Sequence, residues 1–295
     1  MNATTSRSTL RPFPISVVSL GPMTGPGSQG DEAPEYLPMP QGMHTFSAPY
    51  LPENAPADAL ATVLDLLADF TDRADRAGLN QSVRLDLLAQ SSAVRDLISQ
   101  SLGFGEVSAF TTAPQHWRVQ ETAFAGFWRV LQVSDDGRFI RDRLETGTIP
   151  KVLAEAMLAC AADTLAAPSY PAGCMNAQAL VEEIRLQATD WRPGKATHTI
   201  NLSLLPVSDA DLDTLYAWLG HREVSILSRG YGNCRITSTR LKNVWWVQYF
   251  NSMDTLILNS IEIGDMPEVA LAAGDDFSDS IMRLREYCEM MAENA

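Results

Sequence analysis

Sliding the chain of 295 residues against itself by 117 positions aligns residues 85–156 with 202–273 without a gap, and 21 of the 72 pairs are identical. Average composition gives a chance match at roughly one position in fifteen. The identical pairs include Gly103/Gly220, Arg118/Arg235, Trp128/Trp245, Val130/Val247, Glu145/Glu262 and Pro150/Pro267. The period is too long for a solenoid, so a duplicated domain with pseudo-two-fold symmetry is the expected result. We place the two units at 56–170 and 171–295. An extended arm over 1–55, in which Pro and Gly recur, precedes them.

Either copy can be read for its elements. A helix over 58–75, with Leu60, Val63, Leu64, Leu67 and Phe70 at helical spacing, leads into the first unit. A strand at 83–88 or 199–205 ends at Ser91 or Ser208. Ser208 precedes Asp209 and Asp211 and then Leu212, Leu215, Trp218 and Leu219, the pattern of an N-cap, an acidic first turn and a helix. Gly103 and Gly220 stand where a helix ends. Four β-like runs follow at 106–111, 117–122, 127–133 and 139–145, with a hairpin signal at Asp135-Asp-Gly137. A helix beginning near Pro150 or Pro267 closes the unit. The unit strand–helix–four strands–helix implies an α+β fold, with antiparallel sheets and helices on one face.

Charge excludes several functions. Lys plus Arg number 22 against 36 Asp plus Glu, a net charge of −14, which argues against a nucleic-acid groove and against an anionic membrane surface. No apolar run approaches 18 residues, so no direct membrane insertion is expected. The N-terminus lacks the apolar core of a secretory signal. Cys160, Cys174, Cys234 and Cys288 form no C-x-x-C pair, which suits a reduced, cytoplasmic setting. Gly25-Pro-Gly27-Ser-Gln-Gly30 fits a dinucleotide fingerprint, but Pro34, Pro38 and Pro40 forbid the helix that must follow it.

The sequence holds none of the hydrolase, zinc-protease or phosphate-loop signatures, and His44, His116, His198 and His221 are scattered. No enzymatic activity and no cofactor are expected. Cys234 lies between Arg229 and Arg235, two cations that would favour a thiolate, and it is the one candidate metal ligand; a plain packing role is the competing reading. In the run from Val244 to Phe250 the pleat sends Trp245, Val247 and Tyr249 one way and Trp246, Gln248 and Phe250 the other. The first set matches its counterparts in the first copy, so it is expected to pack under the helices. The second set has diverged, and we take it as a candidate partner surface. It is formed by Trp246, Gln248 and Phe250 and rimmed by Arg229, Tyr231, Asn233 and Arg235.

Ser228-Arg-Gly-Tyr-Gly-Asn-Cys-Arg-Ile236, the run from Val244 to Leu258 and Glu262-Ile-Gly-Asp-Met-Pro-Glu-Val-Ala270 resemble the hydrogenase expression/formation proteins of the HupH/HyaF/HoxQ family. Gly25-Pro-Gly-Ser-Gln29 and Tyr36-Leu-Pro-Met-Pro40 are similar to that family's opening segment, with Met23-Thr24 as an insertion before it. The resemblance implies a non-catalytic cytoplasmic accessory protein for maturation of an uptake nickel–iron hydrogenase. It implies as partners the iron–sulfur small subunit, or its precursor, and other hydrogenase accessory proteins. The alternative is a metallochaperone that delivers nickel or supports an iron–sulfur cluster through Cys234.

Overall fold

The computed structural model describes residues 48–52, 55–230 and 232–294. Most of the N-terminal arm, including the glycine pattern and His44, lies outside the described residues, and so does Tyr231. In the first copy the elements are α1 (Ala57–Ala77), β1 (Arg84–Asp86), α2 (Ser92–Leu102), β2 (Val107–Thr111), β3 (His116–Glu121), β4 (Phe127–Val133), β5 (Phe139–Thr146) and α3 (Val152–Cys160). The second copy repeats them as α4 (Ala177–Asp190), β6 (His198–Asn201), α5 (Asp209–Leu219), β7 (Val224–Ser228), β8 (Asn233–Ser238), β9 (Val244–Phe250) and β10 (Leu256–Ile263). A 3-10 turn (Glu268–Ala270) and α6 (Gly274–Glu293) follow.

The ten strands form a single antiparallel sheet in the order β1-β5-β4-β3-β2-β7-β8-β9-β10-β6. The α+β class and the duplicated unit are therefore as the sequence implies, and the two copies join edge to edge through β2 and β7. Corresponding ladders keep one register: Arg118 faces Leu131 as Arg235 faces Gln248, and Trp128 faces Glu145 as Trp245 faces Glu262. The edge strands depart from this. Leu85 faces Leu144, but Ile200, not Leu202, faces Ile261, a slip of two residues. An even slip keeps each side chain on its face. It does move Leu204 out to 82% exposure, whereas its counterpart Leu87 is buried.

Five helices share one face of the sheet. The cluster under α1, α2 and α6 takes Phe127 and Leu144 from the first copy, and the cluster under α4 and α5 takes Trp246 and Ile261 from the second. Trp128, Val130, Trp245 and Val247 project to the other face, where α3 and the turn after Pro267 cover them. The matched tryptophans earn their identity in the same way: Trp128 donates to the carbonyl of Gly147, and Trp245 to that of Asp265.

The closing segments cross between copies. Helix α6 packs on α1, while Leu165 and Tyr170, after α3, pack on the second copy's helical cluster. The helix expected at Pro267 is only the 3-10 turn, and the long helix starts at Gly274. Ser208 caps α5 as its sequence implies, through a capping box with Asp211. Asp211 Oδ1 also accepts the N–H groups of Met175, Asn176 and Ala177 and so caps α4, an element the sequence reading missed.

Candidate functional site

On the helical face the register sets side chains in two neighbouring rows across the central strands. One row runs Arg129, Gln120, Ser108, Leu227, Arg235, Gln248, and the next runs Leu131, Arg118, Phe110, Ser225, Thr237, Trp246. In the first row the first-copy members lie beneath α2 and the loop that follows it: Ser108 and Gln120 are buried, and Arg129 reaches Ser99 of α2. In the second row the buried members, Thr237 and Trp246, belong to the second copy. A diagonal of Leu131, Arg118, Phe110, Leu227 and Arg235 stays half-buried or exposed, together with Ser225 beside Leu227 on β7 and Arg129 under α2, and it ends beside Phe250 and Asn233. Phe110, Leu131, Leu227 and Phe250 belong to none of the three core clusters. The result is a groove across the sheet between α2 and α5.

The guanidinium of Arg235 stands over the ring of Phe250, 5.2 Å from its centroid. Among the described residues no carboxylate lies within ion-pair distance of it. A cation over an aromatic face is held in place while its N–H edges remain free to donate. Asn233 faces Phe250 across the ladder, so the structure brings Asn233, Arg235 and Phe250 together.

Trp246 and Gln248 require a correction. The sequence expectation put them on an open surface, but both are buried. Trp246 stacks on Tyr216 of α5 with centroids 4.0 Å apart and donates to Asn259 Oδ1 at 2.6 Å. Gln248 Nε2 donates to the Tyr216 hydroxyl at 2.9 Å. In the first copy the same positions hold Arg129, Asp142 and Ser99, where Arg129 makes a two-pronged ion pair with Asp142 and donates to Ser99 Oγ. Three touching positions have changed together, from an ion pair under α2 to an aromatic stack under α5. Divergence on this face therefore reflects packing at Trp246 and opening only beyond it. Burial pushes the Tyr216 hydroxyl up to about 12.

His221, which the sequence reading set aside, lies at the groove's second-copy rim, 5.4 Å from the Tyr216 ring and 5.9 Å from Trp246. Desolvation against these rings, and then the charge of Arg235, hold its imidazole below its ordinary range, so it stands neutral at pH 7. The 117-residue spacing could have flagged Arg118 and the pair Phe110/Leu227, which it did not single out as a surface.

Arg229 is exposed in the β7–β8 turn, and its N–H donates to the Glu106 carbonyl at 3.2 Å. The carboxylate of Glu106 lies against Gly230, and Gly232 has φ +100°, a conformation that favours glycine. Tyr231 lies outside the described residues.

Cys234 is also corrected. It points to the face opposite Arg235 and is fully buried. Burial pushes its thiol up to about 12, the reverse of the thiolate expected from flanking arginines. Across the ladder it faces Tyr249, whereas the first copy pairs Trp117 with Gln132, so a large–small exchange accounts for a cysteine here. Among the described residues no group of three or more His, Cys, Asp or Glu side chains could hold a metal ion. His116 pairs with Asp135, and His198 with Glu183. No helix among the described residues is long and apolar enough to cross a membrane.

Comparison with known sequences supplies the context for this groove. The profile of the family described as "HupH hydrogenase expression protein, C-terminal conserved region" matches twice, over 57–166 and 174–291, once for each copy. The chain is 45% identical over 277 residues to the hydrogenase expression/formation protein HoxQ of Cupriavidus necator, covering 93% of this chain and 96% of that one. It is 41% identical to the hydrogenase expression/formation protein HupH of Rhodobacter capsulatus, covering 90% and 94%. Identity is 31% to the hydrogenase-1 operon protein HyaF of Escherichia coli, covering 92% and 97%. Among solved structures, the hydrogenase expression protein HupH from Thiobacillus denitrificans is 29% identical, with a TM-score of 0.37, and the match covers 40% of this chain and 96% of that one.

Proposed function

The chain belongs to the HupH hydrogenase expression protein family, and from that membership we propose that it is a non-catalytic accessory protein of hydrogenase maturation that works in the cytoplasm. It holds the iron–sulfur small subunit of an uptake nickel–iron hydrogenase, or its precursor, before assembly, in concert with other hydrogenase accessory proteins. The names of its relatives support a role in hydrogenase formation. The observation that carries the binding role is Arg235, mounted over Phe250 at the end of an open groove with no carboxylate among the described residues to neutralise it. Arginine and aromatic residues dominate interface energies when they are desolvated. Against the net charge of −14 of the whole chain, which favours solubility of the free protein, an arginine without a neighbouring carboxylate makes this groove a distinct docking place.

The test is capture of hydrogenase subunits by the tagged full-length protein in cells that express the hydrogenase. Wild type is expected to retain the small subunit. The double variant Arg235→Glu, Phe250→Ala is expected to lose about tenfold or more of it while keeping its melting temperature, because neither residue lies in a core cluster. Undiminished capture by the double variant would sink the assignment of the groove.

A further inference from the structure

We infer that the sheet face opposite the groove carries a receptor for one arginine side chain of a partner protein, built from Glu262, Tyr249 and Leu258 of the second copy. The site is independent of the groove, since it lies on the other face and is read from a difference between the two copies.

In the first copy Glu145 is buried and holds two arginines. Arg143 Nη2 lies 2.9 Å from Glu145 Oε2, Arg84 Nε lies 3.3 Å from the same oxygen, and Ser82 donates to Oε1 at 3.1 Å. The Arg143 guanidinium also stands over the Trp117 ring, 5.5 Å from its centroid. A carboxylate at its edge and an aromatic ring at its face are what fix a guanidinium. The second copy repeats the carboxylate as Glu262, which faces Trp245 as Glu145 faces Trp128. Both arginines are gone. Ser260 stands at the position of Arg143, and Thr199 faces Glu262 where Arg84 faces Glu145. Among the described residues no cation pairs with Glu262; burial, and then the charge of Glu268, hold its carboxyl above the ordinary range. The aromatic ring is kept but moved one strand across: Cys234 replaces Trp117, and Tyr249 replaces Gln132. Glu262 is close enough to raise both the Tyr249 hydroxyl and the Cys234 thiol. Ser260 is buried, whereas Tyr249, Leu258 and Glu262 are half-buried and Glu268 is exposed. The place of the Arg143 side chain is thus bordered in the second copy by side chains that reach solvent. The group that completes the set is a guanidinium from outside. A lysine fits less well, because an ammonium cannot grip a carboxylate with two prongs while lying flat on a ring. The net charge of −14 favours the approach of a basic segment.

The probe is Nα-acetyl-arginine amide, titrated into the isotope-labelled full-length protein and followed by nuclear magnetic resonance at the indole N–H of Trp245, the residue facing Glu262. Nα-acetyl-lysine amide is the control ligand, and Glu286→Gln, exposed on α6, is the control variant. We expect a saturable shift of the Trp245 signal. Binding should weaken about tenfold in Glu262→Gln and about threefold with the lysine probe, and it should be unchanged in Glu286→Gln. Ser260→Arg restores the first copy's arginine from within and should abolish binding of the probe. No shift in wild type, equal affinity in Glu262→Gln, equal binding of the arginine and lysine probes, or a folded Ser260→Arg with full affinity overturns the inference. If Ser260→Arg does not fold, Glu262→Gln decides alone, since no ion pair among the described residues is lost with that carboxylate. The groove is judged separately, by capture of the small subunit in the Arg235 and Phe250 variant.

Discussion

Ala109 and Ile226 stand opposite each other at the centre of the β2–β7 ladder, and they are the same position of the two copies. The pseudo-two-fold axis therefore passes between them. On either side the partners exchange roles: Val107 faces Ser228, and Thr111 faces Val224. The bonds that close the two ends of the seam are likewise equivalent, Arg229 N–H to Glu106 O at 3.2 Å and Thr112 N–H to Glu223 O at 3.0 Å. This is the pairing an isologous dimer makes, here built within one chain.

Either half alone would expose β2 or β7 as an open sheet edge and would lose the packing of α6 on α1. We therefore expect the halves to hold together without a covalent link. A protease site inserted between Ala172 and Gly173, both exposed, should be cut without separating them: the fragments co-elute on size-exclusion chromatography and part only in denaturant. Separation in native buffer would show that the seam and the crossed segments do not bind the halves.

Trp246→Ala is expected to destabilise the protein by roughly 3–5 kcal/mol, because it empties a fully buried site and unstacks Tyr216. Tyr216→Phe should cost only about 1 kcal/mol, the bond from Gln248. Urea unfolding measures both. A loss below about 1 kcal/mol in Trp246→Ala would mean that the tryptophan is not the packed residue described above.

The repeat, the strands and the Ser208 cap were legible because each depends on local pattern: alternation, a turn signal or a capping residue. Helix α4 was missed although Leu180, Val181 and Ile184 stand at helical spacing after Asn176; what no local signal announces is the cap on its start, supplied from a distance by Asp211 of α5. That Trp245 and Val247 are buried could be read from their match to the first copy, but of the helices expected over them only α3, with the turn after Pro267, lies there; the other five cover the opposite face, that of Trp246. The burial of Trp246 could not be read, since it depends on Tyr216 arriving from another element. Arg235 and Phe250 were correctly grouped on one face by the two-residue pleat, whereas the groove that holds them depends on which rows α2 and α5 cover.

Cys234 should behave as a packed side chain. With its thiol pushed up to about 12 it stays protonated at pH 8, and burial excludes reagents. Iodoacetamide is expected to leave Cys234 unmodified in the native protein and to alkylate it in urea, as peptide mapping by mass spectrometry will show. Cys234→Ala should cost about 1 kcal/mol and leave hydrogenase maturation intact. Rapid native alkylation, or loss of hydrogenase activity in a folded Cys234→Ala variant, would return weight to a metal-handling role.

Glu121 gives the last prediction, a stability that falls as pH rises through the weakly acidic range. The residue ends β3, is 7% exposed, and accepts long bonds from the N–H groups of Val107 and Gly126, at 3.3 Å and 3.4 Å. Burial raises its carboxyl from 4.5 to about 7; the bonds to Gly126 and Val107 pull the other way, and nearby Glu106 adds to the rise. Because the folded value lies above the unfolded one, the folded state binds more protons between pH 4.5 and 7. The contribution of Glu121 to stability is thus most favourable below about pH 4.5. It declines as pH rises and is at its worst above about pH 7, for a total of about 3 kcal/mol. Glu121→Gln, which cannot ionise, removes this slope. The stability difference between variant and wild type, measured by urea unfolding at several pH values, should shift in favour of the variant by about 3 kcal/mol between pH 4.5 and 8. Other titrating groups cancel in that difference, so a difference that does not change with pH would mean that folding does not raise the Glu121 carboxyl.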